Sequence, residues 1–123
     1  MKKIIKEIID NNGYKITEES NENNQIIKRT TYNPDGVTIW YITEYDPQTG
    51  EIIKETNYNP DGITIDLIIE SDPQTGTIIK KTYYNNLNSK KIDFIIEYDP
   101  QTGKKIKKTG YHPDGTVKDI INF

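Results

Sequence analysis

Few residue types in this chain could carry out chemistry. His112 is the single histidine and there is no cysteine, so a zinc site lacks the ligands it would need. His112 fills the place that Asn33 and Asn59 hold in otherwise similar turns, which marks it as a turn substitution rather than a general base. The sequence contains no phosphate-binding glycine loop and no nucleophile motif. Six aspartates, Asp35, Asp46, Asp61, Asp72, Asp99 and Asp114, offer oxygen ligands of the type calcium takes, yet each sits where a turn already needs it. The chain therefore reads as non-enzymatic, and no catalytic residue, metal ligand or cofactor is assigned.

What it offers instead is side chains that recur. Lys28, Lys54, Lys80 and Lys107 occupy one equivalent position, and Tyr32, Tyr58, Tyr84 and Tyr111 another, the tyrosines at intervals of 26, 26 and 27 residues. On a sheet, positions two strands apart are separated by about 9–10 Å. Such a row has the pitch to meet a periodic ligand: an extended polysaccharide, another sheet or a nucleic-acid backbone. The plainer reading is preferred, in which lysine stems cover apolar neighbours and tyrosine rings shield the sheet margin. Glu44, Glu70 and Glu97 form a further row, read as a solvated face. Lys104, Lys105, Lys107 and Lys108, with Tyr111 and His112 beyond, make one dense basic patch open to nucleic acid or anionic lipid; a solvated terminal strand is the preferred reading. The net charge of -3 gives no general reason to expect nucleic acid. Residues 1–62 hold 7 basic against 11 acidic side chains, and residues 63–123 hold 9 against 8.

The elements that must position these rows are strands. The chain has 23 Ile, 2 Leu and no Ala, and Ile, Thr and Tyr favour a pleated sheet where Ala and Leu favour helix. A hydrophobic fraction of 33% and a mean hydropathy of -0.81 imply a thin core. Twelve Asn and fifteen Lys raise the alternative of a disordered low-complexity chain; the regular placement of β-branched and aromatic residues speaks against it. Without Cys the redox compartment cannot be read, and no apolar run has the length to span a membrane. Lys6 and Glu7 break the apolar segment that a signal peptide would need. The expectation is an intracellular protein, or a secreted or surface one whose leader has been removed.

Two turn motifs alternate. Asp46-Pro47-Gln48-Thr49-Gly50 returns at Asp72 to Gly76 and at Asp99 to Gly103. Asn33-Pro34-Asp35-Gly36 returns at Asn59, is altered at Asn85-Asn86-Leu87-Asn88-Ser89, and comes back as His112-Pro113-Asp114-Gly115. Pro presets φ, Asp bonds the backbone two residues on, and Gly accepts positive φ at the exit. Ten strands follow, near residues 3–10, 14–20, 25–32, 37–45, 51–58, 63–71, 77–84, 90–98, 104–111 and 116–122. The architecture is an all-β antiparallel meander of tandem 26-residue, two-hairpin repeats forming one domain over residues 1–123. Residues 1–24 are a degenerate repeat; residues 25–123 are regular, with the last repeat incomplete. Ten strands would make a sheet on the order of 45 Å wide, expected to curl into a spiral or incomplete barrel, with an open single-layer sheet as the alternative.

Pairing Tyr45 with Ile52 sets the faces. One collects Ile39, Tyr41, Tyr45, Ile52, Tyr58, Ile63, Ile65, Leu67, Ile69, Ile78, Tyr84, Ile92, Phe94, Ile96 and Tyr98 as the core candidate. The other carries Glu44, Glu55, Asp66, Glu70, Lys81, Asp93, Glu97 and Lys108, with a band of Ile42, Ile53, Ile68, Ile79, Ile95 and Ile106. One conflict arises: Asn-Pro-Asp-Gly favours an odd loop with a bulge, which would swap faces at each repeat. Irregularity is therefore expected near Gly36, Gly62 and Gly115.

The phrase Glu70-Ser71-Asp72-Pro73-Gln74-Thr75-Gly76, with Glu97-Tyr98-Asp99-Pro100-Gln101-Thr102-Gly103, resembles a repeat family of phytoplasmas, domain of unknown function 2963, over roughly residues 25–123. The resemblance implies a wall-less plant-pathogenic bacterium with an A/T-rich genome and brings no activity. More distantly, the alternating Tyr-Asp and Asp-Gly turns are similar to YD-type and immunity-type bacterial β-hairpin repeats. At the ends, Lys2, Lys3, Lys6 and Glu7 guard the first strand. The last strand keeps Ile120, Ile121 and Phe123 on an edge that invites pairing, so a C-terminal edge that self-associates, or an array that continues, is expected. The functional expectation is a non-enzymatic protein–protein interaction module, a secreted or surface factor meeting host molecules. An intracellular scaffold or immunity-type protein and a carbohydrate- or nucleic-acid-binding sheet are the alternatives.

Overall fold

The Ile-Ile-Lys-x-Thr and Ile-x-x-Ile-Ile-Glu runs alternate with the two turns, and that alternation becomes a ten-stranded meander. The structure, a computed structural model, describes residues 3–85 and 90–123. The strands are β1 (Ile4–Ile9), β2 (Lys15–Ser20), β3 (Ile26–Tyr32), β4 (Ile39–Tyr45), β5 (Ile52–Tyr58), β6 (Ile65–Ser71), β7 (Ile78–Tyr84), β8 (Ile92–Tyr98), β9 (Lys105–Tyr111) and β10 (Val117–Asn122). All pair antiparallel, in sequence order, in one sheet, and no helix is present among the described residues. The expected altered turn falls, at residues 86–89, outside the described residues, as does Lys2. The Asn85 amide reaches the Lys91 carbonyl at 2.9 Å, a loop one residue longer than that from Asn33 to Thr38, consistent with the interval of 27.

Each turn is closed by its own side chains. In the first Asp-Pro-Gln-Thr-Gly turn the Gly50 amide donates to the Asp46 carbonyl at 2.8 Å and the Asp46 amide to the Glu51 carbonyl at 2.9 Å. Asp46 Oδ1 accepts from the amides of Gln48 and Thr49, and Thr49 Oγ1 accepts from the amide of Glu51. In the Asn-Pro-Asp-Gly turn, Asp35 accepts from the amides of Val37 and Thr38 and from the Thr38 hydroxyl, while Asn33 Nδ2 donates to Thr38 Oγ1 at 2.9 Å. Gly50 and Gly36 sit at φ +75° and +68°, where a Cβ is unfavourable.

The bulge conflict resolves by compensation. Irregularities occur beside Gly36, Gly62 and Gly115 as expected, but also on the other side of each repeat. Tyr45 pairs with Ile52 while Glu44 pairs with Lys54, so Ile53 is the extra residue. Tyr58 pairs with Ile65 while Asn57 pairs with Leu67, so Asp66 is the next. Every hairpin except β1–β2 carries such a shift. Two shifts per repeat cancel, and equivalent residues keep one face throughout.

The second bulge corrects the expected faces. Directly paired residues share a face, and one row runs Tyr41, Asn57, Leu67, Tyr83, Phe94, with a second running Thr43, Glu55, Ile69, Lys81, Ile96, Lys108 beside it. Glu55, Lys81 and Lys108 thus lie with Tyr41, Leu67 and Phe94, whereas Tyr58 and Tyr84 lie on the opposite face. The cause is the residue at Ile53, which moves everything beyond the Asp-Pro-Gln-Thr-Gly turn by one position.

Of the two expected sheet forms, the open one is found. Each strand contacts only its sequence neighbours, so nothing closes β1 onto β10. With no second layer, Ile96 alone among the described apolar residues is buried, at 8% exposure. The other buried positions are Gly110 and six threonines: Thr30, Thr31, Thr43, Thr56, Thr82 and Thr109. Small β-branched residues at mid-strand are covered by the longer side chains around them, which is how a single-layer sheet shields its centre.

Candidate interaction surface

The lysine and tyrosine ladders lie on the same face. A row crosses the sheet as Thr17, Thr30, Ile42, Thr56, Ile68, Thr82, Ile95, Thr109 and Ile120. Two residues to one side lie Lys28, Lys54, Lys80 and Lys107; two to the other lie Tyr32, Tyr58, Tyr84 and Tyr111. Tyr32, Tyr58 and Tyr84 pair with Ile39, Ile65 and Ile92, and Tyr111 with Val117.

The lysine row is not a row of one charge. In register it reads Glu19, Lys28, Glu44, Lys54, Glu70, Lys80, Glu97, Lys107. Each lysine from Lys28 to Lys80 faces a glutamate on both neighbouring strands, and the two rows separated in the sequence reading are one alternating ladder. Lys28 and Glu19 approach to 3.7 Å. The electrostatic result is a strip whose field cancels over one strand spacing, poorly suited to a polyanion.

The basic run at the C-terminal end is divided between faces. Lys107 pairs with Glu97 in the ladder, whereas Lys108 pairs with Ile96 on the opposite face and holds its Nζ 4.5 Å from the Phe94 ring centroid. Lys105 pairs with Tyr98, and Lys104 sits in the turn, its amide donating to Thr102 Oγ1. The opposite face also carries the stacked Tyr83–Phe94 pair, with ring centroids 4.3 Å apart, and the Arg29–Glu18 ion pair. The Glu18 carboxylate raises the Arg29 pKa against the opposing effect of burial, so Arg29 stays charged.

At the edges, Ile120 and Ile121 face opposite sides of β10, and both are exposed along with Val117 and Phe123. β1 is no better covered, since Ile4, Ile5 and Ile9 are also exposed. Gln48, Gln74 and Gln101 project at the turns, their backbone amides donating to Asp46, Asp72 and Asp99. His112 closes its turn through backbone bonds to Thr116 and Gly115. Among the described residues, no group of three or more His, Asp or Glu is placed to hold a metal.

One residue escaped the sequence reading. Trp40, the single tryptophan, is 43% exposed beside a cleft of about 390 Å³ between the first two Asn-Pro-Asp-Gly turns. Tyr14 and Tyr41 flank its ring at centroid distances of 5.6 and 5.2 Å. Aligning the repeats would have found it, because the equivalent positions hold Asp66 and Asp93.

Residues 8–57, 32–83 and 84–123 each match the model of one family, described as a protein of unknown function (DUF2963). The chain belongs to this family. The DUF2963 matches reach residue 8, upstream of the first regular turn. The match over residues 32–83 spans two 26-residue repeats and the four strands β4 to β7. No curated protein matches the chain significantly. No helix among the described residues is long and apolar enough to cross a membrane.

Proposed function

We propose that this chain is a non-enzymatic β-repeat module that binds other proteins through the face carrying the tyrosine ladder. The observation that supports it is the register: bulges on both sides of every regular repeat keep Tyr32, Tyr58, Tyr84 and Tyr111 on one face across the sheet. An open surface with aromatic residues and alternating charge resembles the composition of protein interfaces, where tyrosine is enriched. The setting we propose is the cell surface or exterior of a phytoplasma-like bacterium, with host proteins as partners; the resemblance of the repeats and the abundance of Ile, Asn, Lys and Tyr support it. Immobilised chain would be exposed to plant-tissue extract beside a Tyr84→Ser/Tyr111→Ser variant. Proteins retained by the first and released by the second are the expected result; identical retained sets, or none, overturn the face assignment. A leader in the full-length gene is expected, and its absence would favour an intracellular scaffold instead.

Exposed Ile120, Ile121 and Phe123 favour a second contact, pairing of β10 with another chain. Light scattering that shows a monomer at the highest soluble concentration would remove it.

A further inference from the structure

The cleft beside Trp40 differs in kind from the rest of the repeated surface. Its walls are Pro34 with Asp35 from one turn, Pro60 with Tyr58 from the next, and Trp40 between them. The β4–β5 register, which pairs Tyr41 with Asn57, sets Trp40 across from Tyr58 one step further on. The sister position is aspartate in two later repeats, so the fold does not demand an aromatic there. Tyr14 and Tyr41 hold the indole in place, and Lys15 caps the neighbouring Tyr32 ring at 4.5 Å. That leaves Trp40 and Tyr58 as the open platform.

We propose that this cleft binds a proline-rich segment of a partner protein, in polyproline II conformation and flanked by a basic residue. The inference rests on the protein-binding reading above and names the class of partner. Three features carry it. Proline rings dock on aromatic- and proline-lined grooves with little conformational loss. A polyproline II helix repeats every three residues, about 9.3 Å, close to the spacing of about 9.6 Å between turns two strands apart, so a peptide crossing the strands meets successive turns in phase. The rim carries more acid than base: Asp35 lines the cleft and Asp61 sits at the second turn, against Lys15, whose Nζ donates to the Gly36 carbonyl. The two carboxyls are held below the ordinary range first by the Thr38 and Thr64 hydroxyls and then by backbone amides.

A sugar fits less well. Asn33 Nδ2, Thr38 Oγ1 and both Asp35 oxygens already bond within the turn, so few directional groups remain for hydroxyls, whereas ring stacking and net charge are available to a peptide. The corresponding cleft at the fourth turn supplies an internal contrast, because Lys90 and Lys91 line it with Tyr111. Asp114 also lines it, so two cations stand against one carboxylate there and the balance is less favourable to the same ligand.

The test uses the whole chain and fluorescence anisotropy of a dye-labelled polyproline peptide flanked by arginine. A glutamate-flanked polyproline peptide and cellohexaose serve as competitors. The expected result is saturable binding that Trp40→Asp weakens about tenfold or more, as loss of an aromatic anchor does, with circular dichroism confirming an unchanged sheet. Asp35→Asn with Asp61→Asn should remove most of the salt dependence. Binding that is equal in Trp40→Asp, preference for the glutamate peptide, displacement by cellohexaose, or no binding at millimolar peptide would each overturn the proposal. Retention of plant proteins that is lost in Tyr84→Ser/Tyr111→Ser but kept in Trp40→Asp would leave the module reading standing and the cleft without its role.

Discussion

Replacing Gly62 by alanine should cost far more than the same change at Gly36, although the two glycines occupy the same place in the same turn. Both have positive φ, +69° and +68°, where an L-residue costs about 1–2 kcal/mol. A Cβ at Gly36 meets nothing within 4 Å. At Gly62 it would lie 2.4 Å from Thr38 Cβ and 2.9 Å from the backbone nitrogen of Ile39, because the second turn packs on the strand entry of the first. Backbone cannot swing aside as a long side chain can, so overpacking adds about 1–3 kcal/mol. The unfolded-state gain from removing a glycine is common to both variants and cancels in their difference. At about 2.1 cal/mol/K per residue, 123 residues give about 4 °C per kcal/mol, so Gly62→Ala should melt about 4–12 °C below Gly36→Ala. Gly76→Ala belongs with Gly36, since its contact is the movable Glu51 Oε2 at 3.0 Å. Urea midpoints and thermal melts of the three variants provide the measurement. Equal losses at Gly62 and Gly36 would refute the packing of one turn on the next.

Thr31 is 3% exposed and its Oγ1 has no hydrogen-bond partner, so Thr31→Val should stabilise by about 1 kcal/mol; a lowered urea midpoint would show that the hydroxyl is satisfied after all. Lys54→Glu sets three carboxylates side by side with Glu44 and Glu70 and should cost about 1 kcal/mol, shrinking as salt rises; a loss insensitive to salt would point to the lysine stem instead. The carboxyls of Asp35, Asp61 and Asp114 lie below the ordinary range, held there chiefly by the hydroxyls of Thr38, Thr64 and Thr116. A depressed folded pKa gives stability that is whole above the unfolded value of about 3.9 and is lost as pH falls from there through the lower folded value. Melting temperature in Asp61→Asn should therefore fall less steeply than in the wild type below about pH 4, and parallel acid limbs would deny the linkage.

All ten strands and both turns were legible because Pro, Asp and Gly act locally, through φ and through bonds two or three residues away. Register was not, because it depends on a count of residues across each turn. Pairing Tyr45 with Ile52 was right, but a regular ladder drawn from that pair sets Glu44 against Ile53. The bulge that brings Lys54 there leaves no mark in the composition. The same oversight split one ladder into a lysine row and a glutamate row, and it gathered Tyr58 and Ile69 onto one face. The curl expected of so wide a sheet presupposed a one-sided apolar face, and with both faces mixed there is no such face to fold inward. Trp40 was legible in principle, by its departure from Asp66 and Asp93, but its chemistry depends on the neighbouring turn that makes the cleft.

The ladder also explains how a sheet without a core chooses its pairing. Where one face is dry, a one-residue slip is forbidden by burial; where both faces are wet, that penalty is weak. Here a slip of two residues between β4 and β5 would keep every face unchanged, yet set Lys54 against Ile42 and Glu44 against Ile52. Of the seven opposite-charge neighbours from Glu19 to Lys107, Glu19 and Lys28 close to 3.7 Å; directly opposed charges of this kind contribute about 0.2–1 kcal/mol a pair, at this exposure toward the lower end. The amount is modest beside the stability of a domain, but a slip at any one hairpin from β2–β3 to β8–β9 forfeits the charge pair of that hairpin. The bulges act in the same direction, since each fixes the count of residues between one turn and the next. The lysines are thus best understood by what faces them. Lys54 is spaced as a ligand ladder would require, and its glutamate neighbours give that spacing the role of holding β4, β5 and β6 in step.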